Sequence, residues 1–135
     1  MAKSPRLGCG AAIIQDGKIL LIQRLNDPES GCWGLPGGKV DFLELVEHAV
    51  KREIAEELGI QLFNLVLLCV VDQIDLENNE HWVAPVYQTS DFDGIPYLVE
   101  TDKHSGMSWY SLDAVPERLT VATRAALPLL REQLS

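Results

Sequence analysis

The stretch Gly37–Ile60, GGKVDFLELVEHAVKREIAEELGI, places a paired glycine ahead of a helix-forming run that carries Glu53, Glu56 and Glu57. At 3.6 residues per turn, Val46, Val50, Ile54 and Leu58 recur every four positions and form one apolar stripe that can bury against a sheet. Beside that stripe the three glutamates stand at i, i+3 and i+4, which brings their Cβ atoms to roughly 5–6 Å of one another. Carboxylates that close raise one another's proton affinity unless positive charge intervenes. A divalent cation answers the conflict, and an all-oxygen donor set favours Mg²⁺ or Mn²⁺ over zinc. Mg²⁺ keeps waters and completes its shell with substrate phosphates, so the pattern anticipates a phosphate-bearing ligand. Gly37 and Gly38 let the backbone approach metal or phosphate closely. Arg52, four residues before Glu56, can pair with a carboxylate and fix its rotamer. On the glutamates alone, an ordinary solvated acidic face is the better-supported reading; the residues around them change that.

Outward from this segment, 135 residues with 47% hydrophobic content suffice for one domain with a proper core and are too few for two comfortable ones,. The net charge of −9 argues against a nucleic-acid polymer as partner, because such binding needs Lys and Arg to neutralise phosphates,. A small anionic ligand stays compatible if a cation mediates. Cys9, Cys32 and Cys69 are odd in number and widely spaced, so neither a disulfide framework nor a CxxC metal pair is available, and reduced, buried thiols are expected,. No apolar run approaches the ~20 residues of a membrane helix, and Lys3 and Arg6 are not followed by a hydrophobic segment,. The expectation is a cytoplasmic protein with no membrane partner. The RLGCG of Arg6–Gly10 lacks the preceding apolar stretch that a lipid-modified cysteine would require,.

GAAIIQDGKILLIQR, Gly10–Arg24, predicts a hairpin turning at Asp16-Gly17,. Leu25–Gly38 reads as a loop with a short strand around Trp33,. Leu62–Leu76 and His81–Thr89 predict paired strands about the polar ENNE of Glu77–Glu80,. Ser90–Gly106 reads as a long connection and a candidate substrate-side segment,. Met107–Leu112 predicts a last strand, and Arg118–Leu134 a helix that Pro128 should kink or interrupt,. No repeat or low-complexity tract is present. This order gives an α+β or mixed α/β fold with helices packed on a central sheet.

Gly38, five residues, Glu44, seven residues, Arg52-Glu53, apolar Ile54, one residue, Glu56-Glu57, one residue, Gly59 and apolar Ile60 together resemble the Nudix box of the Nudix hydrolase family. A chance match at the seven invariant positions is on the order of 10⁻⁸ per starting point. KILLIQR (Lys18–Arg24), WGLPGG (Trp33–Gly38) and SWYSLDAVP (Ser108–Pro116) extend the similarity over roughly Gly8–Pro116. The resemblance implies one domain over 1–135, an α/β/α sandwich around a central mixed β-sheet. It also implies Mg²⁺-dependent hydrolysis of a diphosphate linkage in a nucleoside diphosphate derivative, by attack of a metal-activated water on phosphorus. A nucleoside triphosphate cut to monophosphate and pyrophosphate is the foremost expectation, with a nucleotide sugar or ADP-ribose as the alternative. A non-catalytic nucleotide-binding module is a further reading, which the intact glutamates argue against; a DNA-binding regulator is disfavoured by the acidic charge. A homodimer is the default expectation for oligomeric state.

Carried onto this sequence, the resemblance implies that Glu53, Glu56 and Glu57 ligate Mg²⁺, or Mn²⁺, with Glu53 as a candidate for water deprotonation. The Gly37 carbonyl is a further ligand, and Arg52 and Glu44 orient the carboxylates. Gly38 and Arg24 are candidate substrate-binding residues. Relatives often place another acid before the final strand; Glu100 and Asp102 are the candidates, against a reading as solvated loop charges. Leu43 and Leu45 depart from the small or polar residues usual around the first box glutamate. Asp41 is then the candidate N-cap, with Glu44 completing a capping-box-like pair. Trp33 reads as a core wedge. His81, Trp82 and Tyr87 read as core or surface residues of which one can face a base, and His48 and His104 as surface histidines. The DFDG of Asp91–Gly94 lacks the spacing of a calcium loop,.

Overall fold

In a computed structural model describing residues 3–134, the expected hairpin forms. Strand β1 (Arg6–Gln15) turns through Asp16 and Gly17, at φ 53° and 73°, into β2 (Lys18–Arg24). Positive φ at both central residues is the turn whose twist matches flanking strands, and Asp-Gly tolerates it. There follow β3 (Trp33–Gly34), β4 (Gly37–Lys39), α1 (Val46–Leu58), β5 (Gln61–Phe63) and β6 (Val66–Asp75). The chain closes with β7 (Glu80–Thr89), β8 (Asp91–Asp93), β9 (His104–Ser111) and α2 (Val121–Leu134). The main sheet runs β3-β2-β1-β7-β6, with β4 also pairing β1 and β9 also pairing β2; β5 and β8 form a separate ribbon. The sheet is mixed, because β1 and β7 are parallel and the other pairs antiparallel.

Alternation along β1 and β2 decides the layering. Cys9, Ala11, Ile13, Leu20 and Ile22 pack in one buried cluster with Ala49, Val50, Ile54 and Leu58 of α1. Their neighbours Ala12, Ile19 and Leu21 pack with Val71, Val86 and Ala126, Leu127 and Leu130 of α2 in another. Successive strand side chains point to opposite faces, so the two helices lie on opposite sides of the sheet. This is the expected α/β/α sandwich, and it explains the unbroken apolar runs of the hairpin, since neither face meets water.

Three expectations are corrected. Asp41 does not cap α1: the helix starts at Val46 with Leu45 in the cap position and no side-chain cap. The Asp41–Glu44 pair forms one turn earlier, with the Asp41 amide donating to Glu44 Oε1 at 3.0 Å and the Glu44 amide to the Asp41 carbonyl at 3.1 Å. Leu43, at φ 69°, separates that turn from the helix. Second, α2 starts at Val121 rather than Arg118 and runs through Pro128 without interruption. Pro128 and Arg124, whose carbonyl loses its partner, both lie on the exposed face, where the freed group is open to solvent,. Third, the long connection after Ser90 holds β8, and β9 begins earlier than expected, at His104. The thiols are all free, but only Cys9 is buried; Cys32 and Cys69 are half-buried. No described helix is long and apolar enough to cross a membrane.

Candidate active site

The register of β1 with β4 sets Gly37 opposite Gly10 and Gly38 opposite Cys9. A Cβ on Gly37 would overlap the Cys9 carbonyl, and one on Gly38 would overlap the Glu53 carboxylate. Both glycines are therefore required by close approach: Gly37 by the neighbouring strand, Gly38 by a side chain from α1. The Gly37 amide donates to Glu57 Oε1 at 3.2 Å. Helix α1 packs on β1 and β2 through its apolar stripe, so residues one step off the stripe come down on these glycines.

Arg52 ties the acids together. Its Nε and one terminal nitrogen donate to Glu44 Oε2 and Oε1 at 2.7 and 2.9 Å, a two-pronged clasp,. The same terminal nitrogen donates to the Lys39 carbonyl at 3.0 Å and lies 3.5 Å from Asp41. The other terminal nitrogen donates to Glu53 at 2.9 Å and Glu56 at 3.3 Å. The Arg52 hydrogen bonds, with help from the Asp41 amide, hold the Glu44 carboxyl down at about 2. The guanidinium is itself driven further above its ordinary value, Glu44 being the main cause.

Glu57 is different. It is 3% exposed, and burial, reinforced by the charge of Glu53, pushes its carboxyl up to about 8. Its Oε2 has no hydrogen-bond partner. His104 Nε2 stands 3.6 Å from that oxygen, and burial moves this imidazole below its ordinary value. His104, read from sequence as a surface histidine, is thus 7% exposed and at the site. No local pattern marked it: its place comes from pairing with Arg24 of β2, just past an irregularity in the register that aligns Leu20 with Trp109. His48 is exposed, as expected.

The structure brings Gly37, Gly38, Glu44, Arg52, Glu53, Glu56 and Glu57 to one place. Among the described residues no three His, Cys, Asp or Glu side chains form a preassembled cage. Glu53 lies over Gly38, Glu57 beneath Gly37, and Glu56, with a side chain 51% exposed, leans on Arg52. This donor set fits a hard ion that needs only one or two carboxylates and takes the rest of its shell from water and phosphates. The unpartnered buried Glu57 oxygen is the strongest sign that a cation is wanted here. Glu100 is half-buried, paired with Lys103 at 3.1 Å, and its charge contributes to raising Glu57. Asp102 sits on the exposed turn, its carbonyl accepting from Asn26 at 3.5 Å. Arg24 donates through Nε to the Pro28 carbonyl at 2.8 Å, bracing the loop that precedes β3.

A cleft of about 450 Å³ opens beside this group, lined by Gly37, Gly38, Glu57, His104, Arg24 and Trp82 among others. Its size suits a small-molecule ligand. Trp82 carries the Arg6 guanidinium 5.6 Å from its ring centre. Tyr87 packs on the cluster under α1, and His81 pairs with Asp72 at 3.0 Å. Trp33 packs edge-on against Tyr110, 5.2 Å between ring centres, as a core wedge.

Residues 4–130 match the family model of the NUDIX domain. The crystal structure of a MutT NUDIX hydrolase from Burkholderia pseudomallei superposes with a TM-score of 0.93 at 61% identity, covering 94% of this chain and 98% of that one. An ADP-ribose pyrophosphatase of Methanocaldococcus jannaschii is 42% identical over 83 residues, 62% of this chain and 49% of that protein. A CTP pyrophosphohydrolase of Escherichia coli is 51% identical over 53 residues, 38% of this chain and 39% of that protein. Each of these two alignments spans less than half the relative's length. Since the family model spans residues 4–130 and the superposed MutT NUDIX hydrolase covers nearly all of the fold, the chain belongs to the Nudix hydrolase family.

Proposed function

We propose that the protein hydrolyses a diphosphate linkage in a nucleoside diphosphate derivative with Mg²⁺ or Mn²⁺, a nucleoside triphosphate cut to monophosphate and pyrophosphate being the foremost substrate. The observation that carries this is the seat itself: Glu53 lying on the bare Cα of Gly38 and buried Glu57 held by the Gly37 amide with one oxygen unused. Glu53, Glu56, Glu57 and the Gly37 carbonyl would hold the metal. When bound, the metal supplies a lowered water pKa and neutralises phosphate charge, without which a chain of net charge −9 would repel its substrate,. Glu53 would accept the proton of the attacking water. Arg52 keeps Glu53 and Glu56 in their rotamers and, through Glu44, stays fixed itself. Arg24, which lines the cleft, is proposed at its substrate side, with Glu100 and Asp102 on the segment leading to His104 beside it.

The test is incubation of the protein and Mg²⁺ with a panel of nucleotides in ¹⁸O-labelled water, with product identification. Cleavage of a triphosphate supports the leading reading. Cleavage confined to ADP-ribose or a nucleotide sugar moves the substrate to the alternative that the Methanocaldococcus relative's name favours. Tight binding with no turnover of any member would overturn the enzymatic reading. Glu57→Gln should lose most of the activity.

A further inference from the structure

The deepest pair of polar groups in the cleft is incomplete on both sides. Glu57 Oε2 and His104 Nδ1 are the buried side-chain atoms without a hydrogen-bond partner among the described residues. They belong to two side chains that face each other, Glu57 Oε2 and His104 Nε2 standing 3.6 Å apart. That is a few tenths of an ångström beyond a hydrogen bond. Lone pairs set face to face at this range repel, so the juxtaposition is favourable only when one of the two atoms bears a proton. A carboxylate that ligates a cation has none to give, which leaves the imidazole as donor. Each side chain is anchored by its own element: Glu57 by α1 and the Gly37 amide, His104 by its pairing with Arg24 in β9. The oxygen that Gly37 leaves unserved is therefore the one His104 can reach, and its two lone pairs let it accept from His104 and still face a cation,.

We propose that His104 is the positioning residue of Glu57: in the metal-loaded protein its Nε2–H donates to Glu57 Oε2, fixing the carboxylate in its ligating orientation. This rests on the metal reading above. It assigns His104 a part that the glutamate pattern alone does not contain, since the box places no residue on β9. Partners that hydrogen-bond a metal-ligating side chain orient it and raise its donor strength, and losing one costs metal affinity roughly 10–100-fold.

Mn²⁺ binding, followed by the electron paramagnetic resonance signal of the free ion, tests it without recourse to turnover. His104→Leu should weaken Mn²⁺ binding about 10–100-fold. His104→Gln, whose amide N–H reaches about as far as Nε2, should recover most of the loss. In a Glu57→Gln background, His104→Leu should change Mn²⁺ affinity little further, because the group it serves has gone. Wild-type affinity in His104→Leu, or an equal loss in Glu57→Gln and wild-type backgrounds, would overturn the proposal while leaving the metal site standing. Absence of Mn²⁺ uptake by the wild type would instead remove the metal reading and this inference with it. Should His104→Leu fold poorly, His104→Gln and His104→Phe carry the comparison, Phe filling the volume without a donor; equal affinity in those two would count as disproof.

Discussion

Gly38 is where one missing atom governs the site. Its Cα is the floor on which the Glu53 carboxylate lies, so Gly38→Ala should displace Glu53 with no positive-φ penalty and little disturbance of the sheet. A misplacement near 1 Å at reacting groups costs about 100-fold in rate. Activity measured beside circular dichroism should show that loss in a folded protein. Glu57 gives a pH signature in metal-free protein. Its carboxyl is raised to about 8 in the fold, so the folded state binds the extra proton between the unfolded carboxylate range, near 4.5, and about 8. That stability is whole below about 4.5 and lost as pH rises through about 8. Glu57→Gln has no such charge to bury. In EDTA its stability relative to wild type should therefore grow between pH 5 and 8, by up to a few kcal/mol at about 1.4 kcal/mol per unit. Urea titrations at several pH values check this; a constant difference would remove the burial argument.

At the scale of elements, the turn ahead of α1 carries local strain. Leu43 is 90% exposed at φ 69°, a conformation that costs a residue with a Cβ about 1–2 kcal/mol,. Leu43→Gly should relieve it, and after glycine's own entropy cost the net gain should be about 0.5–1 kcal/mol, read as a higher Tm. The same residue shows where sequence reading stops. Helix periodicity made the stripe of Val46, Val50, Ile54 and Leu58 legible, and Asp16-Gly17 made the hairpin legible, because both depend on local geometry. The start of α1 was not, since a leucine in a left-handed conformation breaks the rule by which turns are recognised. Pro128 misled for the converse reason: its local penalty is real, but its solvent-facing position lets the helix continue. His104 stayed hidden because its burial is created by β9 pairing with β2, a contact between residues far apart in sequence.

Taken whole, the molecule sets twenty acidic residues against eleven basic ones and draws several acids into one corner of the sandwich around Arg52. A cation bound only by the folded arrangement must stabilise the fold by mass action, about 2.7 kcal/mol at one hundred times its Kd. Mg²⁺ or Mn²⁺ should therefore raise Tm, EDTA should reverse the rise, and Glu57→Gln should blunt it. Scanning calorimetry decides the matter, and a Tm indifferent to both ions would speak against a built cation site. The box spacing disclosed which acids gather here, and helix periodicity grades them, with Glu57 nearest the apolar stripe and Glu56 farthest from it. What no helix periodicity encodes is the glycine floor they meet, which the β1–β4 register sets.

Cys9 lies directly under this seat, 6% exposed, its thiol pushed up to about 11 chiefly by burial, with the Gly38 amide against it. A protonated, enclosed sulfur is a poor nucleophile. It follows that an alkylating reagent at neutral pH can reach Cys9 only when α1 or β4 lifts from β1, so the thiol is a chemical clock for opening of this corner of the fold. The half-buried Cys32 and Cys69 provide the reference rate within the same molecule.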